Sequence, residues 1–443
     1  MILVSKFGGS SMANSSQFEK VKDIVLSNPD RQIVCCSALG KRKANDTKIT
    51  DLLYAMSDHL KYKVAFDDIW EIFYSRYVEV KKELKLKQNI EKELVDLKNS
   101  LNANTSVDYL VSRGEYFTAK LLAEYLGYTF VDAKGLIFFD YDCTIDYKKT
   151  EAAVRLAYEK YGRMVVPGFY GTMPNGMIKL LSRGGSDITG SILAKSVSAS
   201  VYENWTDVSG VYTCDPAIVD NPRPIKEITY SELREMSYMG ANVLHEETIF
   251  PVQELLIPIN IKNTNDANHP GTMIKKECSD NKYCVTGITG KKGFMAFNIS
   301  KQHMAGEIGF LRRLCSIFEK YNLPVEHMPT GIDSVSVICE QSKCEKNKYE
   351  IVSDIKFELQ ADVDIDEDLS LIAVVGRNMV HKIGLCGKMF TVLGKEKINV
   401  KMVDVGPTEL TTIIGVSKKD YIRAIEALYK NIVESELSDR SED

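Results

Sequence analysis

The chain lacks any long apolar run. No stretch of its 443 residues approaches the roughly 18 consecutive apolar positions of a membrane-spanning helix, which excludes that class of protein. The apolar run that starts at Ile2 is also too short for a signal peptide. The ten cysteines form no CxxC pair and no His/Cys spacing of a zinc site, so we predict free thiols in a reducing cytoplasm and no metal site built from side chains.

A surplus of charge of one sign is also missing. The net charge is −5, and 56 lysines and arginines are mixed among 61 acidic residues. No basic stripe could neutralise a phosphate backbone, so we expect neither nucleic acid nor a membrane as a partner. The apolar share of 44% is typical of a soluble globular protein, and the length predicts two to four domains.

The two most common nucleotide-binding loops are absent as well. The sequence contains no GxxxxGK[ST] loop and no GxGxxG fingerprint. Gly171 and Gly176 have the first spacing, but Met177 stands where the lysine would be. A phosphate-binding site in this chain must therefore depend on other segments.

The first part of the chain alternates between strands and helices. Apolar runs at Ile2–Lys6 and Ile33–Ser37 flank a helical pattern from about Ser15 to Leu26, which predicts a βαβ unit. A strongly helical stretch covers about 46–100, and the alternation then resumes. We therefore predict an α/β domain with a mostly parallel sheet over residues 1–282.

Residues 283–443 repeat one pattern twice. A strand, a helix, two strands and a helix recur about 75 residues apart, which predicts two ferredoxin-like βαββαβ modules. The first covers about 292–365 and the second about 366–443, with 283–291 as a candidate addition to the second. Unpaired sheet edges in such modules predict a homodimer or tetramer. The elements predicted for the first module are Phe294–Ile299, Gly309–Tyr321, Val325–Met328, Ser334–Cys339 and Tyr349–Leu359.

The first candidate for chemistry is Lys6-Phe7-Gly8-Gly9-Ser10-Ser11, which follows a strand and precedes a helix. Its glycines allow backbone amides to approach a phosphate, and Lys6 could stabilise charge on a transferred phosphoryl group. Taken alone, a turn with a surface lysine explains the segment equally well.

The second candidate is Leu181-Ser182-Arg183-Gly184-Gly185-Ser186-Asp187, which opens a helix. Arg183 beside two glycines suits bidentate binding of a carboxylate. Helix capping by Ser186 or Asp187 is the alternative, although capping requires neither Arg183 nor the glycines.

The third candidate is the polar turn Trp205–Pro216, which follows a strand and could form the rim of a nucleotide pocket. As an isolated segment it reads as an ordinary loop.

Together the three segments resemble the signature segments of aspartate kinases. Further segments of that family stand in the same order at Ser112–Glu115, Gly240–His245 and Ile259–Thr264. The resemblance covers essentially the whole chain and identifies the C-terminal modules as ACT domains. It implies an amino-acid kinase-like fold, a mostly parallel sheet with helices on both faces, followed by the tandem ACT domains of a single-function enzyme.

The resemblance also implies a reaction. The enzyme would use ATP, with Mg²⁺ held mainly by the phosphates, to phosphorylate the β-carboxylate of L-aspartate, the first step of lysine, threonine and methionine biosynthesis. That carboxylate is ionised at neutral pH, so no general base is needed. The departures from the family pattern are Ala217, where arginine is frequent, and Asn242, where lysine is frequent.

The same resemblance implies roles for individual residues. Lys6 and Asp187 are the implied catalytic residues, Arg183 would hold a carboxylate, and Glu115 would pair with the substrate ammonium. The residues implied to bind aspartate are Ser37, Thr50, Glu115, Phe169, Arg183, Gly184, Gly185 and Ser186. The residues implied to bind ATP are Lys6, Gly8, Gly9, Ser10, Thr206, Asp207, Tyr212, Asn242 and Val243.

The ACT resemblance implies feedback inhibition by an end-product amino acid. Lysine is favoured over threonine, although Glu307 departs from the lysine-binding pattern. The implied regulatory residues are Met304, Gly309, Phe310, Leu311, Val325, Glu326 and Asp333. The alternative is a dimerisation module that binds no ligand.

Two other functions stay open at this point. A kinase for a related acidic amino acid would share the motifs and differ in the length of its substrate. A non-catalytic amino-acid sensor would keep the fold and lose the chemistry, and the presence of Lys6, Arg183 and Asp187 argues against it.

Overall fold

The structure of the protein, a computed structural model, describes residues 1–182, 184–241, 244, 246–279, 283–379, 382–406, 408 and 410–438. The chain divides into two compact units. The first consists of Met1–Val211, Pro224–Tyr230 and Asn242–Cys278, and the second of Tyr212–Arg223, Ser231–Ala241 and Ser279–Asp443. The second unit therefore includes two short segments that precede residue 282, and a domain boundary at that residue stays a prediction.

The described residues of the first unit form ten strands. They are β1 (Leu3–Phe7), β2 (Arg31–Cys36), β3 (Thr129–Phe130), β4 (Met164–Pro167), β5 (Tyr170–Thr172), β6 (Ile178–Leu180), β7 (Val201–Thr206), β8 (Glu227–Thr229), β9 (Ile259–Asn263) and β10 (Thr272–Lys275). Eight of them form one sheet in the order β3-β4-β2-β1-β7-β9-β10-β8, and β5 and β6 form a separate hairpin. All neighbours in the large sheet are parallel except β9 and β10, which confirms the predicted mostly parallel sheet.

The helices between residues 1 and 278 are α1 (Ser15–Leu26), α2 (Ile49–Lys61), α3 (Asp67–Glu83), α4 (Ile90–Ser100), α5 (Val107–Leu126), α6 (Tyr147–Tyr161), α7 (Gly185–Ser196), α8 (Tyr230–Tyr238) and α9 (Ile249–Gln253). All of them belong to the first unit except α8, which after Tyr230 belongs to the second. Asn14 begins α1 because its side chain accepts a hydrogen bond from the Gln17 amide. Gly127, at φ +70°, ends α5 in the left-handed conformation that glycine adopts without steric cost. Because α5 is buried along most of its length, polar side chains that it carries inward lie deep in the unit.

Five strands and several helices are formed by those residues of the second unit that the structure describes. The strands are β11 (Gly287–Ser300), β12 (Ser334–Glu340), β13 (Asp362–Val375), β14 (Val400–Val405) and β15 (Thr411–Val416). The helices that follow residue 278 are α10 (Phe310–Lys320), α11 (Gln341–Cys344), α12 (Lys348–Leu359), α13 (Leu385–Lys395), α14 (Tyr421–Leu428), a π-helical turn (Tyr429–Glu434) and α15 (Ser435–Ser438). None of the described helices is long and apolar enough to cross a membrane.

The two repeats of the second unit share one antiparallel sheet. Its order is β12-β11-β13-β15-β14, and the 14-residue strands β11 and β13 pair along nearly their whole length. Two separate apolar clusters, one for each repeat, pack beneath this sheet. This antiparallel region after the parallel sheet agrees with the predicted fold class.

One predicted strand, Val325–Met328, is wrong. The segment contacts β12 only through an irregular pairing, in which the Glu326 amide donates to Ile338 O at 2.8 Å and the Ile338 amide to His327 O at 3.0 Å. The prolines that flank the segment, Pro324 and Pro329, have no backbone N–H to donate to a ladder, so a regular strand does not form.

Candidate active site

A cleft of about 780 Å³ opens at the carboxyl ends of β1, β2 and β7, beside the N-terminus of α7. Carboxyl ends of neighbouring parallel strands meet at one edge of a sheet, where α/β proteins commonly bind ligands. The predicted residues that line the cleft are Lys6, Gly8, Gly9, Ser10, Ser37, Thr50, Glu115, Phe169, Gly184, Gly185, Ser186, Asp187, Thr206 and Asp207. Residues separated by up to two hundred positions in the chain therefore share one cavity.

The loop after β1 is held close to the neighbouring strands. The Gly8 amide donates to Trp205 O at 3.0 Å, and the Ser11 and Met12 amides donate to Gly8 O and Gly9 O, which closes a short 3₁₀ turn. A Cβ atom at Gly8 would lie 3.3 Å from the Lys6 Nζ atom. Glycine at this position therefore leaves open the approach to the lysine, as a phosphate-binding loop requires.

Lys6 forms an ion pair at the centre of the cleft. Its Nζ atom lies 2.5 Å from Asp187 Oδ1, and its side chain is 8% exposed. Asn204 contacts both partners, because its Nδ2 atom donates to Asp187 Oδ1 at 2.9 Å and its Oδ1 atom accepts from Lys6 Nζ at 3.5 Å. Sequence reasoning missed Asn204, since its position opposite Lys6 on β7 follows only from the strand order.

The start of α7 faces the same cavity. Gly184 adopts φ +77° as the residue before the helix, and the Asp187 amide donates to Gly184 O at 2.8 Å. A Cβ atom at Gly185 would lie 2.4 Å from the Phe169 ring, so glycine is required for this close approach. The helix N-terminus presents free amides and positive potential to an anion in the cleft. Arg183, the predicted carboxylate ligand, lies outside the described residues.

Glu115 is a buried carboxyl group in the wall of the cleft. The residue is 3% exposed, and its Oε2 atom has no hydrogen-bond partner among the described residues. Burial raises the pKa of Glu115 to about 8, and the backbone amides of Glu115 itself and Ala38 and the charge of Arg113 offset this only in part. A buried acid with one unpartnered oxygen is suited to pair with a cation that enters the cleft.

Phe169 marks a strained point of the wall. It adopts φ +76°, which is uncommon for a bulky residue, and its amide donates to Thr189 Oγ1 at 3.0 Å. Such strain persists where the surroundings impose it and is concentrated at functional sites. Ser37 and Thr50 are half-buried on the opposite loop and helix, at the end of β2 and in the first turn of α2.

The predicted nucleotide rim is only partly described. Thr206 and Asp207 line the cleft, with the Thr206 hydroxyl donating to Asp207 Oδ1 at 3.1 Å. Tyr212 is a half-buried residue of the second unit. Asn242 and Val243 lie outside the described residues. Roles for these residues in nucleotide binding stay predictions.

Sequence reasoning also missed the loop between β2 and α2. The further residues that line the cleft are Ala38, Leu39, Gly40, Lys41, Arg42, Lys43, Ala44 and Lys48. The signal that could have found them is the run Lys41-Arg42-Lys43, which follows a buried strand of the sheet.

The predicted regulatory residues cluster in the first repeat of the second unit. Met304, Phe310 and Val325 belong to its apolar core or pack against it, whereas Leu311 is 41% exposed. Two backbone hydrogen bonds join the turn at residues 301–305 to the loop that carries Asp333. The Lys301 amide donates to Asp333 O and the Ala305 amide donates to Ile332 O, both at 3.0 Å. Gly309 precedes α10 at φ +80°, and Tyr238 donates to Glu326. Glu307, the departing residue, is paired with Lys301 at 2.6 Å and with Arg313.

Comparisons with known proteins agree with this arrangement. Residues 1–263 match the Amino acid kinase family, and residues 372–432 match the ACT domain. Aspartokinase 3 of Bacillus subtilis is 37% identical over 444 residues, which cover 96% of this chain and 98% of that protein.

Solved structures are similar over the full length. The aspartate kinase of Clostridium acetobutylicum, described as an allosteric enzyme, is 44% identical with a TM-score of 0.91, over 97% of this chain and 100% of that one. Escherichia coli aspartokinase III in complex with aspartate and ADP (R-state) is 25% identical with a TM-score of 0.80, over 98% and 100% of the two chains. The same enzyme in complex with lysine and aspartate (T-state) gives a TM-score of 0.76 at 25% identity, over 97% and 99%. The chain therefore belongs to the aspartokinase family of amino acid kinases.

Proposed function

We propose that the protein transfers the γ-phosphoryl group of Mg-ATP to the β-carboxylate of L-aspartate and forms 4-phospho-L-aspartate, the first step of lysine, threonine and methionine biosynthesis. The observation that carries the proposal is the single cleft lined by Lys6, the glycine loop after it and the start of α7. Family membership and the E. coli relative in complex with aspartate and ADP support the same substrates.

The chemistry needs alignment and charge neutralisation more than proton transfer. A β-carboxylate oxygen attacks the γ-phosphorus, the bond to the bridging oxygen breaks, and the electron pair leaves with ADP. The attacking carboxylate has an unperturbed pKa of about 3.9, so it is already ionised at neutral pH. Lys6, held by Asp187 at 2.5 Å, is the cation best placed to stabilise charge on the transferred group.

Recognition of the amino acid follows from the charges of the wall. Glu115 would pair with the substrate ammonium, because the Oε2 atom of its buried carboxyl group has no hydrogen-bond partner among the described residues. Ser37, Thr50 and the amides at the start of α7 are the polar groups on the remaining sides. We assign the carboxylate contact to Arg183 from the sequence motif, and the cleft walls at Gly184 and Gly185 support this assignment.

Magnesium would enter with the nucleotide. The described residues contain no group of three or more His, Cys, Asp or Glu side chains arranged to hold a metal ion. The cleft does contain the cations and backbone amides that bind phosphates, which fits an ion coordinated mainly by phosphate oxygens and water. When bound, Mg²⁺ would neutralise charge on the phosphates.

A coupled hydroxamate assay tests the proposal. We expect aspartate-dependent and Mg-ATP-dependent product with L-aspartate and little with L-glutamate. Lys6→Ala should lower kcat by about 100-fold or more while changing KM much less, since its charge acts on the transition state. Lys82→Ala, at an exposed lysine of α3, is the matched control. Equal activity with glutamate would indicate a kinase for another acidic amino acid, and absence of any transfer would indicate a sensor.

Feedback inhibition by lysine is the regulatory part of the proposal. The E. coli relative solved with lysine and aspartate, together with the ACT match, supports lysine over threonine. We expect lysine to inhibit the activity and to raise the melting temperature at similar concentrations, because a ligand that binds one folded state stabilises it. Threonine and leucine serve as controls, and a lysine concentration series without either effect would leave the second unit as a dimerisation module.

A further inference from the structure

The loop between β2 and α2 carries positive charge into the candidate active site. We call residues 40–48 the cationic loop. Lys41, Arg42, Lys43 and Lys48 belong to it, and all four line the same cleft as Lys6. The sequence motifs assigned no role to any of these four side chains.

The cationic loop lies directly on the glycine loop that follows β1. The Gly40 amide donates to Gly9 O at 2.9 Å. A Cβ atom at Gly40 would lie only 2.2 Å from Gly9 O, so any other residue would separate the two loops. The cations that follow Gly40 are therefore held next to the backbone amides of Gly8 and Gly9.

Arg76 on α3 forms hydrogen bonds with both ends of the cationic loop. Its Nη1 atom donates to Thr47 O at 2.9 Å and its Nη2 atom donates to Gly40 O. The residue is 2% exposed and does not line the cleft itself. A buried guanidinium that bonds two carbonyls of one loop fixes the path of that loop, because its planar fork has a rigid geometry.

The charges within the cationic loop are of two kinds. Arg42 is neutralised, since it bonds Asp46 Oδ2 through its amide and Nε atoms at 3.0 and 3.1 Å and Glu79 at 3.0 Å. Partial burial of Asp46 favours its neutral form, but hydrogen bonds from Arg42 and the nearby charge of Arg76 lower its pKa to about 2. The ion pair between Arg42 and Asp46 therefore persists at neutral pH.

Lys41 and Lys43 differ from Arg42. Both are exposed to the cleft, and no carboxylate within the described part of the chain forms an ion pair with either side chain. Lys6, in contrast, already shares its charge with Asp187. Lys48 is likewise exposed and forms no ion pair with a described residue, so the cleft holds several uncompensated cations beside a glycine loop, which is the charge distribution that a polyphosphate requires.

We propose that Lys41 and Lys43 bind the outer phosphates of the nucleotide and that Arg76 is the positioning residue that holds them there. The inference rests on the proposed kinase function for the identity of the ligand. It adds a second set of phosphate ligands to Lys6 and the glycine loop, supplied by a loop that is packed on them.

Nucleotide binding measured by calorimetry tests this directly. For Lys41→Gln and Lys43→Gln we expect about fivefold weaker binding of the Mg²⁺ complex of the β,γ-imido analogue of ATP for each charge removed, a smaller loss for Mg-ADP and none for adenosine. Lys82→Gln, an exposed lysine on α3, controls for net charge. Unchanged binding of the ATP analogue by the double variant, or an equal loss for adenosine, would overturn the proposal.

Steady-state kinetics distinguish an effect on nucleotide binding from an effect on aspartate binding. The double variant should raise KM for Mg-ATP and weaken its dependence on ionic strength, with KM for aspartate within about twofold of the parent. A rise confined to KM for aspartate would place the cations on the other substrate and refute the inference. Arg76→Lys keeps the charge but cannot bond both carbonyls, so it should reproduce the nucleotide defect, and a melting curve shows whether it is folded.

The outcomes also separate this inference from the proposed function. If the parent protein binds the ATP analogue through Lys41 and Lys43 but makes no hydroxamate, the kinase proposal fails while the phosphate site stands. If the parent phosphorylates aspartate and both lysine variants bind nucleotide normally, the cationic loop has no such role.

Discussion

Glu115→Gln is the perturbation with the most informative pH dependence. The residue is buried in the wall of the cleft, and burial raises the pKa of its carboxyl group to about 8 from 4.5. Glutamine has nearly the same shape and cannot ionise. The variant therefore removes one proton equilibrium and leaves the packing of α5 in place.

The sign of the effect follows from proton binding. Between pH 4.5 and pH 8 the folded protein keeps the proton on Glu115, whereas the unfolded chain loses it, so raising the pH favours unfolding. This single group therefore lowers the free energy of unfolding by roughly 2–3 kcal/mol between pH 5.5 and pH 7.5. Relative to the parent, Glu115→Gln should gain that amount over the same interval.

Urea denaturation followed by tryptophan fluorescence is the appropriate assay. The chain has two tryptophans, Trp70 and Trp205, and both are buried in the core of the unit that contains Glu115. The fluorescence transition thus reports on that unit alone. Glu19→Gln, at an exposed position of α1, controls for the loss of a carboxylate. Parallel stability curves for the parent and Glu115→Gln from pH 5.5 to pH 7.5 would refute the assignment of a buried neutral acid.

Two further substitutions test the surroundings of the site. Asn204→Asp would place a second carboxylate beside Lys6 and Asp187, so we expect kcat to fall at least tenfold with a displaced pH profile, whereas Asn204→Ser, which is neutral, should recover part of the loss in the same assay. Glu203→Gln breaks the buried pair with Arg31 at 2.8 Å and should lower the urea midpoint by the equivalent of about 3–5 kcal/mol, because a buried guanidinium is left uncompensated. An unchanged midpoint would show that water reaches this pair.

Regular elements with strong periodicity were predictable from the sequence. The helix expected at Gly309–Tyr321 is Phe310–Lys320, and the strand expected at Ser334–Cys339 is Ser334–Glu340. Most residues of the candidate site were also found, because glycine loops after strands and before helices have few structural roles other than close approach.

Other features depend on information that no local pattern contains. Hydrophobic periodicity does not predict strands in the charged segments Lys291-Lys292 and Asp362–Asp368. The strands β11 and β13 extend through them because each of the two pairs with a long partner strand. Asn204 contacts Lys6 only because β7 lies next to β1, although nearly 200 residues separate them in the chain. In the sequence Arg76 is one residue of an amphipathic helix, and its contact with the cationic loop follows only from the tertiary fold.

The nucleotide and the amino acid depend on different charges of the cleft for binding. In the free protein the Lys6–Asp187 pair cancels its own charge and Glu115 is neutral below pH 8, so among the described residues of the cleft the uncompensated lysines of the loop outnumber the exposed Asp207. An anionic nucleotide is therefore attracted to the free site at neutral pH. An amino acid must instead bring its ammonium group to Glu115 and displace the proton there, so below pH 8 its affinity should rise by up to about tenfold for each unit by which the pH is increased. Proton release on adding aspartate in weak buffer, absent in Glu115→Gln, measures this coupling, and aspartate binding without proton release would show that Glu115 is already ionised.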